Sequence, residues 1–260
     1  MMEYSYYIID PTGNITAIVE TPTKRSEQRR IAAFIMELDT RIEQVGFLEQ
    51  PQSGAAVRLQ MMGGEFCGNA SVCTAALTAQ RSGIDDGCIT LEVSGAENPL
   101  CIRVQKLAAG LYRGTVSMPL PVGMETVKLG KNELPAVHFS GISHLILSDD
   151  ISADEAEKNI RSWCKALNAD ALGLMFLSGE TLKPYVYVRS TDTAVWESSC
   201  ASGTTAVAAY LAAKAGKSVS VTLENPGGTL SVKAEYSGDA ISSLLLTGSA
   251  EIKGKHLICT

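Results

Sequence analysis

Two stretches of the chain carry apolar residues at the spacing of one buried helix face. In KRSEQRRIAAFIMELD (24–39) these are Ile31, Phe34, Ile35 and Leu38, at i, i+3, i+4 and i+7. In DEAEKNIRSWCKALN (154–168) Ala156, Ile160, Cys164 and Leu167 form a comparable stripe. The opening MMEYSYYIID alternates as a strand does. Around these elements the same pattern recurs. GGEFCGNASVCTAAL (63–77) and WESSCASGTTAVAAYLA (196–212) each place a cysteine ahead of a small-residue helix, with Cys67 and Cys200 lying 133 residues apart. ITLEVSG (89–95) and VTLENPGG (221–228) repeat at an offset of 132. TGNITAIV (12–19) and SGISHLIL (140–147) repeat at about 130, which sets His144 opposite Asn14, and QVGFLEQ (44–50) and ALGLMFL (171–177) at about 127.

Each half therefore reads strand, helix, strand, cysteine turn, helix, strands. Matches in one order at a nearly constant offset mark a tandem duplication. The fold class expected is α/β (α+β), with two pseudo-symmetric lobes, each a sheet packed on helices. The two prolines of VSMPLPVG (116–123) mark the crossing point. The lobes are then 1–117 and 118–249, with the tail 250–260 returning to the first. A two-fold relation between such halves would direct both cysteine-headed helix starts toward one cleft.

The totals narrow the function. A chain of 260 residues, 45% apolar, has ample material for a core. A net charge of −6 leaves no basic footprint for nucleic acid. No apolar run approaches the ~18 residues of a membrane span. The N-terminal segment lacks the basic n-region of a signal peptide, so a cytoplasmic location is expected. The seven cysteines form an odd set without zinc-knuckle spacing and only three histidines exist, so neither a disulfide scaffold nor a metal site is expected.

A cysteine at a helix start has a distinct chemistry. The first turn of a helix presents amide N–H groups without intrahelical partners, and its dipole makes that end positive. An anion can sit there. Gly68 and Asn69 after Cys67, and Ala201, Ser202 and Gly203 after Cys200, would let a substrate carboxylate approach. The same field is expected to lower a thiol pKa into the range of a usable base. With Cα of one amino acid between the sulfurs, one thiolate can remove the α-proton while the opposite thiol delivers a proton to the other face. Cys73, which aligns with Ala206, reads as core.

These segments resemble the diaminopimelate epimerase and proline racemase superfamily. The likeness runs through PTGN, VGF, CGNAS, the Ser-His strand, CASGT and PGG. It implies the diaminopimelate epimerase-like fold, no cofactor and a free amino acid as substrate. By position it implies Cys67 and Cys200 as catalytic thiols, His144 and Glu197 as their support, and Asn14 and Glu65 near substrate. DPTGN, EQVGF, GGEFCGNA and WESSCASGT look closest to the histidine racemase of opine-type metallophore synthesis, which makes histidine the first substrate candidate. Glu43 in EQVGF either binds a basic or imidazole-bearing side chain or faces water. Ile142-Ser143 stands where the epimerases have Asn-Pro, Ala201 where a glycine is usual, and Ala171 where an asparagine is expected. The alternatives are diaminopimelate or another amino-acid epimerase, a phenazine-type isomerase, and a non-catalytic binder. A homodimer is compatible with each.

Overall fold

The computed structural model describes residues 2–148 and 150–259. They divide into two compact units, residues 2–117 with 247–259, and residues 118–246.

In the first lobe the chain runs β1 (Glu3–Asp10), β2 (Thr16–Val19), α1 (Arg25–Leu38), β3 (Gln44–Glu49), β4 (Val57–Met61), α2 (Gly68–Ser82), β5 (Asp86–Val93), β6 (Leu100–Ala108) and β7 (Leu111–Ser117). The sheet follows that order, then takes in the C-terminal part of the long strand β16 (Ala240–Cys259). Residues Glu251–Cys259 of β16 pair antiparallel with β1, so the sheet closes on itself and leaves no edge. The pairs β2·β3 and β4·β5 are parallel, and each needs a helical crossover. The two crossovers lie on opposite faces. α2 packs against β2, β4, β5, β6 and β7 at once, which only the inside of the ring allows. It is buried nearly all round, as its run of Ala, Ser, Thr and Cys requires. α1 covers the outside on β3. Its stripe buries Ile31 and Ile35 fully, Phe34 packs at the rim, and Leu38 at the frayed end is exposed.

The second lobe repeats this plan with β8 (Gly123–Leu129), β9 (Asn132–Phe139), β10 (Ile142–Leu147), α3 (Ala153–Ala166), β11 (Ala171–Ser178), β12 (Thr181–Val188), β13 (Thr193–Trp196), α4 (Ala201–Ala215), β14 (Val219–Asn225) and β15 (Gly228–Ser237). Its sheet order is β8-β9-β10-β11-β12-β14-β15 and the first part of β16. α4 packs on β9, β10, β11, β14 and β15, and takes the place of α2. α3 lies on β11 and β12, burying Ala156, Ile160, Trp163 and Cys164. Each such side chain contributes roughly 1.5–3 kcal/mol if large and apolar, so a charge at Ile160 would unseat the helix. β13, an added strand on β12, has no counterpart in the first lobe.

The register revises one expectation. His144 pairs with Gly173 across β10·β11, as Ile18 pairs with Gly46 across β2·β3. The repeat counterpart of His144 is therefore Ile18, not Asn14, because a strand match must preserve the face on which the side chain stands. The cysteines also differ in part from expectation. Cys73 and Cys164 are buried, but Cys88 and Cys101 lie exposed on β5 and β6 and form a disulfide.

Candidate active site

α2 and α4 begin and end alike. Cys67 and Cys200 are their N-caps, in extended conformation, and each sulfur accepts a hydrogen bond at 3.3 Å from the third amide onward, Ala70 N–H and Gly203 N–H. Gly83 and Gly216 close them in the left-handed conformation, where a side chain would be strained.

In the first lobe Cys67 is buried and its thiol donates to Oε1 of Gln44 at 2.7 Å. Beside it runs a chain of amides. Asn69, in the first turn of α2, donates to Oδ1 of Asn14 at 3.1 Å, and Asn14 donates to Oε2 of Glu43 at 2.5 Å. Glu43 thus helps to hold Asn14. Gly68 is buried within the same turn. Glu65 is exposed at its side chain, but its carbonyl accepts from Ser94 Oγ at 2.8 Å, and Ser94 Oγ in turn accepts from Met61 N–H at 3.0 Å. That turn fixes the approach to Cys67. Gly95, at φ +74°, completes it, since a Cβ there would overlap the amide of Phe66.

In the second lobe Cys200 is buried and keeps different company. Its Sγ lies 3.5 Å from Ser202 Oγ, which lies 3.0 Å from Nε2 of His144. The Glu197 carboxylate accepts a hydrogen bond from the thiol. The approach is held by Gly227 N–H on Ser198 O at 2.7 Å and Glu197 N–H on Pro184 O at 3.0 Å. Ala201 and Gly203 are buried in the first turn of α4.

The electrostatics overturn one expectation. Burial, then the charge of Glu197, push the Cys200 thiol well above its usual range, against the hydrogen bonds of Ser202 and the Gly203 amide that favour the thiolate. The helix start does not win at this position, and Cys200 rests as a neutral thiol. His144 is fully buried, and burial lowers its pKa to about 3. It is a neutral imidazole across the physiological range.

The structure brings Cys67, Asn69, Asn14 and Glu43 together in the first lobe, and Cys200, Ser202, His144 and Glu197 in the second, whereas the sequence reading expected all of them around one cleft. Among the partners of the sulfurs, one went unpredicted: Gln44, the direct partner of the Cys67 thiol. The available signal was its place at the first residue of β3, next to Glu43. Among the described residues no group of three or more His, Cys, Asp or Glu is placed to hold a metal ion. No helix there is long and apolar enough to cross a membrane.

Residues 3–256 match the family described as the histidine racemase CntK N-terminal domain. The chain belongs to this family. It is thereby an isomerase of the amino-acid racemase and epimerase class. A histidine racemase from Fusobacterium nucleatum subsp. nucleatum is 35% identical over 219 residues, 78% of this chain and 79% of that one. A histidine racemase from Staphylococcus aureus (strain Mu50) is 26% identical over 250 residues, 90% of this chain and 89% of that one. Among solved structures, a phenazine biosynthesis protein of the PhzF family from Bacillus anthracis matches all of both chains with a TM-score of 0.75. At 15% identity that likeness speaks for the fold alone.

Proposed function

We propose that the chain interconverts L- and D-histidine, with Cys67 and Cys200 working from opposite faces of the substrate Cα. One sulfur, as thiolate, takes the α-proton. The electron pair left on Cα delocalises into the carboxylate, whose negative charge a helix start can meet. The other sulfur, as thiol, delivers its proton to the opposite face. Configuration inverts, and the protonation states of the two sulfurs are exchanged. The reverse reaction or proton exchange with solvent resets them.

The observation that carries this reading is the matched pair of cysteine N-caps, each beside a group able to serve both protonation states. An amide such as Gln44 can accept from a thiol through oxygen or, turned over, donate to a thiolate through nitrogen. The Ser202 hydroxyl can likewise accept or donate. Cys200, neutral at rest, can deliver a proton whenever Cys67 is the thiolate. Histidine as substrate is supported by the relatives that carry that activity in their names. The mechanism needs both thiols reduced, because the thiolate and the thiol are the reacting forms.

Incubation with L-histidine in D2O, followed by chiral chromatography and mass spectrometry, tests the proposal. α-Deuterated D-histidine is the expected product. Turnover of another amino acid but not histidine would refute the substrate, and a new constitutional isomer would refute racemisation. Binding without any label exchange would refute catalysis.

A further inference from the structure

His144 has one hydrogen bond to its ring, at Nε2. Its Nδ1 is buried without a partner. Functional histidines are usually aimed by a carboxylate or carbonyl on the second nitrogen. Here no polar group holds the Nδ1 side of the ring, so packing must. Phe139 stands edge-on to the ring at a centroid distance of 6.1 Å. On another side lies Gly173 of β11, the cross-strand neighbour of His144. A Cβ on Gly173 would overlap Nδ1, lie 2.8 Å from Cε1 of the ring and 2.9 Å from Cε of Met175. Met175 is itself fully buried and lies against Gly203, where a Cβ would overlap its sulfur and come 3.2 Å from Cys200 Sγ. The ring cannot yield toward Met175 without pressing on the first turn of α4.

In the first lobe the matching glycine has a lesser task. The nearest atoms to a Cβ on Gly46 are in aliphatic and thioether side chains, Leu59 Cδ1 at 2.6 Å and Ile18 Cδ1 and Met61 Sδ at 3.3 Å, with no ring among them. The second lobe has put an imidazole where the first keeps an isoleucine, and has kept the neighbouring position empty.

From this geometry we infer that Gly173 is a positioning residue of the Cys200 half-site: it vacates the space that lets His144 aim Nε2 at Ser202, and through Ser202 at the sulfur. The inference rests on the reading that Cys200 exchanges a proton with substrate. A side chain at 173 should therefore harm the proton-transfer step, and only while the imidazole is present.

A double-mutant cycle in the full chain decides it, read as kcat, KM and the pH profile of kcat/KM for histidine in both directions. Gly173→Ala should lower kcat about 10- to 100-fold, the scale of a ~1 Å misplacement of a catalytic group, with KM within about threefold. It should also move the limb of the pH profile that belongs to Cys200. The His144→Ala variant removes the two nearest atoms and leaves only Met175 Cε, the end of a flexible side chain that can move into the vacated space, so adding Gly173→Ala to it should change kcat less than about twofold. This comparison stands even if Gly173→Ala alone fails to fold. Multiplying effects in the double variant would overturn the inference, as would a single variant with unchanged kcat and pH profile. A Cys200→Ser enzyme that still racemises would instead refute the reading of Cys200 on which the inference rests.

Discussion

Cys67 and Cys200 occupy the same place in two copies of one fold, and the surroundings of the two sulfurs have diverged. Both cap a helix that runs through the inside of a sheet, and both are buried. Cys67 meets a neutral amide from the first residue of β3. The equivalent residue of β11 is Ala171, and Cys200 finds its partners elsewhere: Ser202 two residues on, His144 behind it, and the carboxylate of Glu197 ahead. Duplication supplied the backbone twice; divergence then gave the two sulfurs different neighbours.

The largest effects should come from removing either sulfur. Cys67→Ser and Cys200→Ser should each cut kcat/KM by roughly 10²- to 10⁴-fold, the usual weight of a general acid or base. Serine caps helices well, so both variants should melt near the wild-type temperature. Equal loss of activity with unchanged stability would separate chemistry from folding.

The next test reads the difference between the sulfurs. In Glu197→Gln the charge that raises the Cys200 thiol is gone, so its deprotonation should move to lower pH, and the matching limb of the kcat/KM profile with it. Gln44→Ala, which removes a neutral partner from Cys67, should cost about tenfold in rate through one lost hydrogen bond, without a comparable shift of that limb. A shift of the same limb in both variants would erase the distinction between the half-sites.

Smaller effects are expected away from the sulfurs. Cys73→Ser should keep most of the activity and lose some stability, because Cys73 is core in α2. In the first lobe the Ser53 hydroxyl, with the amides of Ser53 and Gln52 and the Arg58 guanidinium, holds the Glu92 carboxyl down to about 2 from 4.5. A carboxyl lowered on folding stabilises above its unfolded pKa and loses that contribution as pH falls through its folded one. Acid melts should therefore show a decline between pH 4.5 and about 2 that Glu92→Gln reduces.

The duplication was legible because its marks are local. The stripes of α1 and α3 follow the helical period, and the cysteine turns sit directly before small-residue helices. The residues next to each sulfur were legible for the same reason, since Ser202 and Asn69 lie within a turn of the cysteines. The remainder depended on distant pairing. Closure of β16 onto β1, the added strand β13 and the Cys88–Cys101 bridge join residues that no short pattern connects. A small slip in the repeat offset moved His144 onto Asn14, because a strand of alternating faces tolerates no such slip. The acidity of Cys200 was misjudged because burial, invisible in a sequence, outweighed the helix start.

The central claim concerns one carbon served by two acids and bases on opposite faces. The most direct measurement is the early distribution of label when L-histidine turns over in D2O. The account predicts that the first D-histidine formed carries α-deuterium while the remaining L-histidine stays protiated. Deuterium entering the remaining L-histidine as fast as it enters the product would point to a single base on one face and contradict the account.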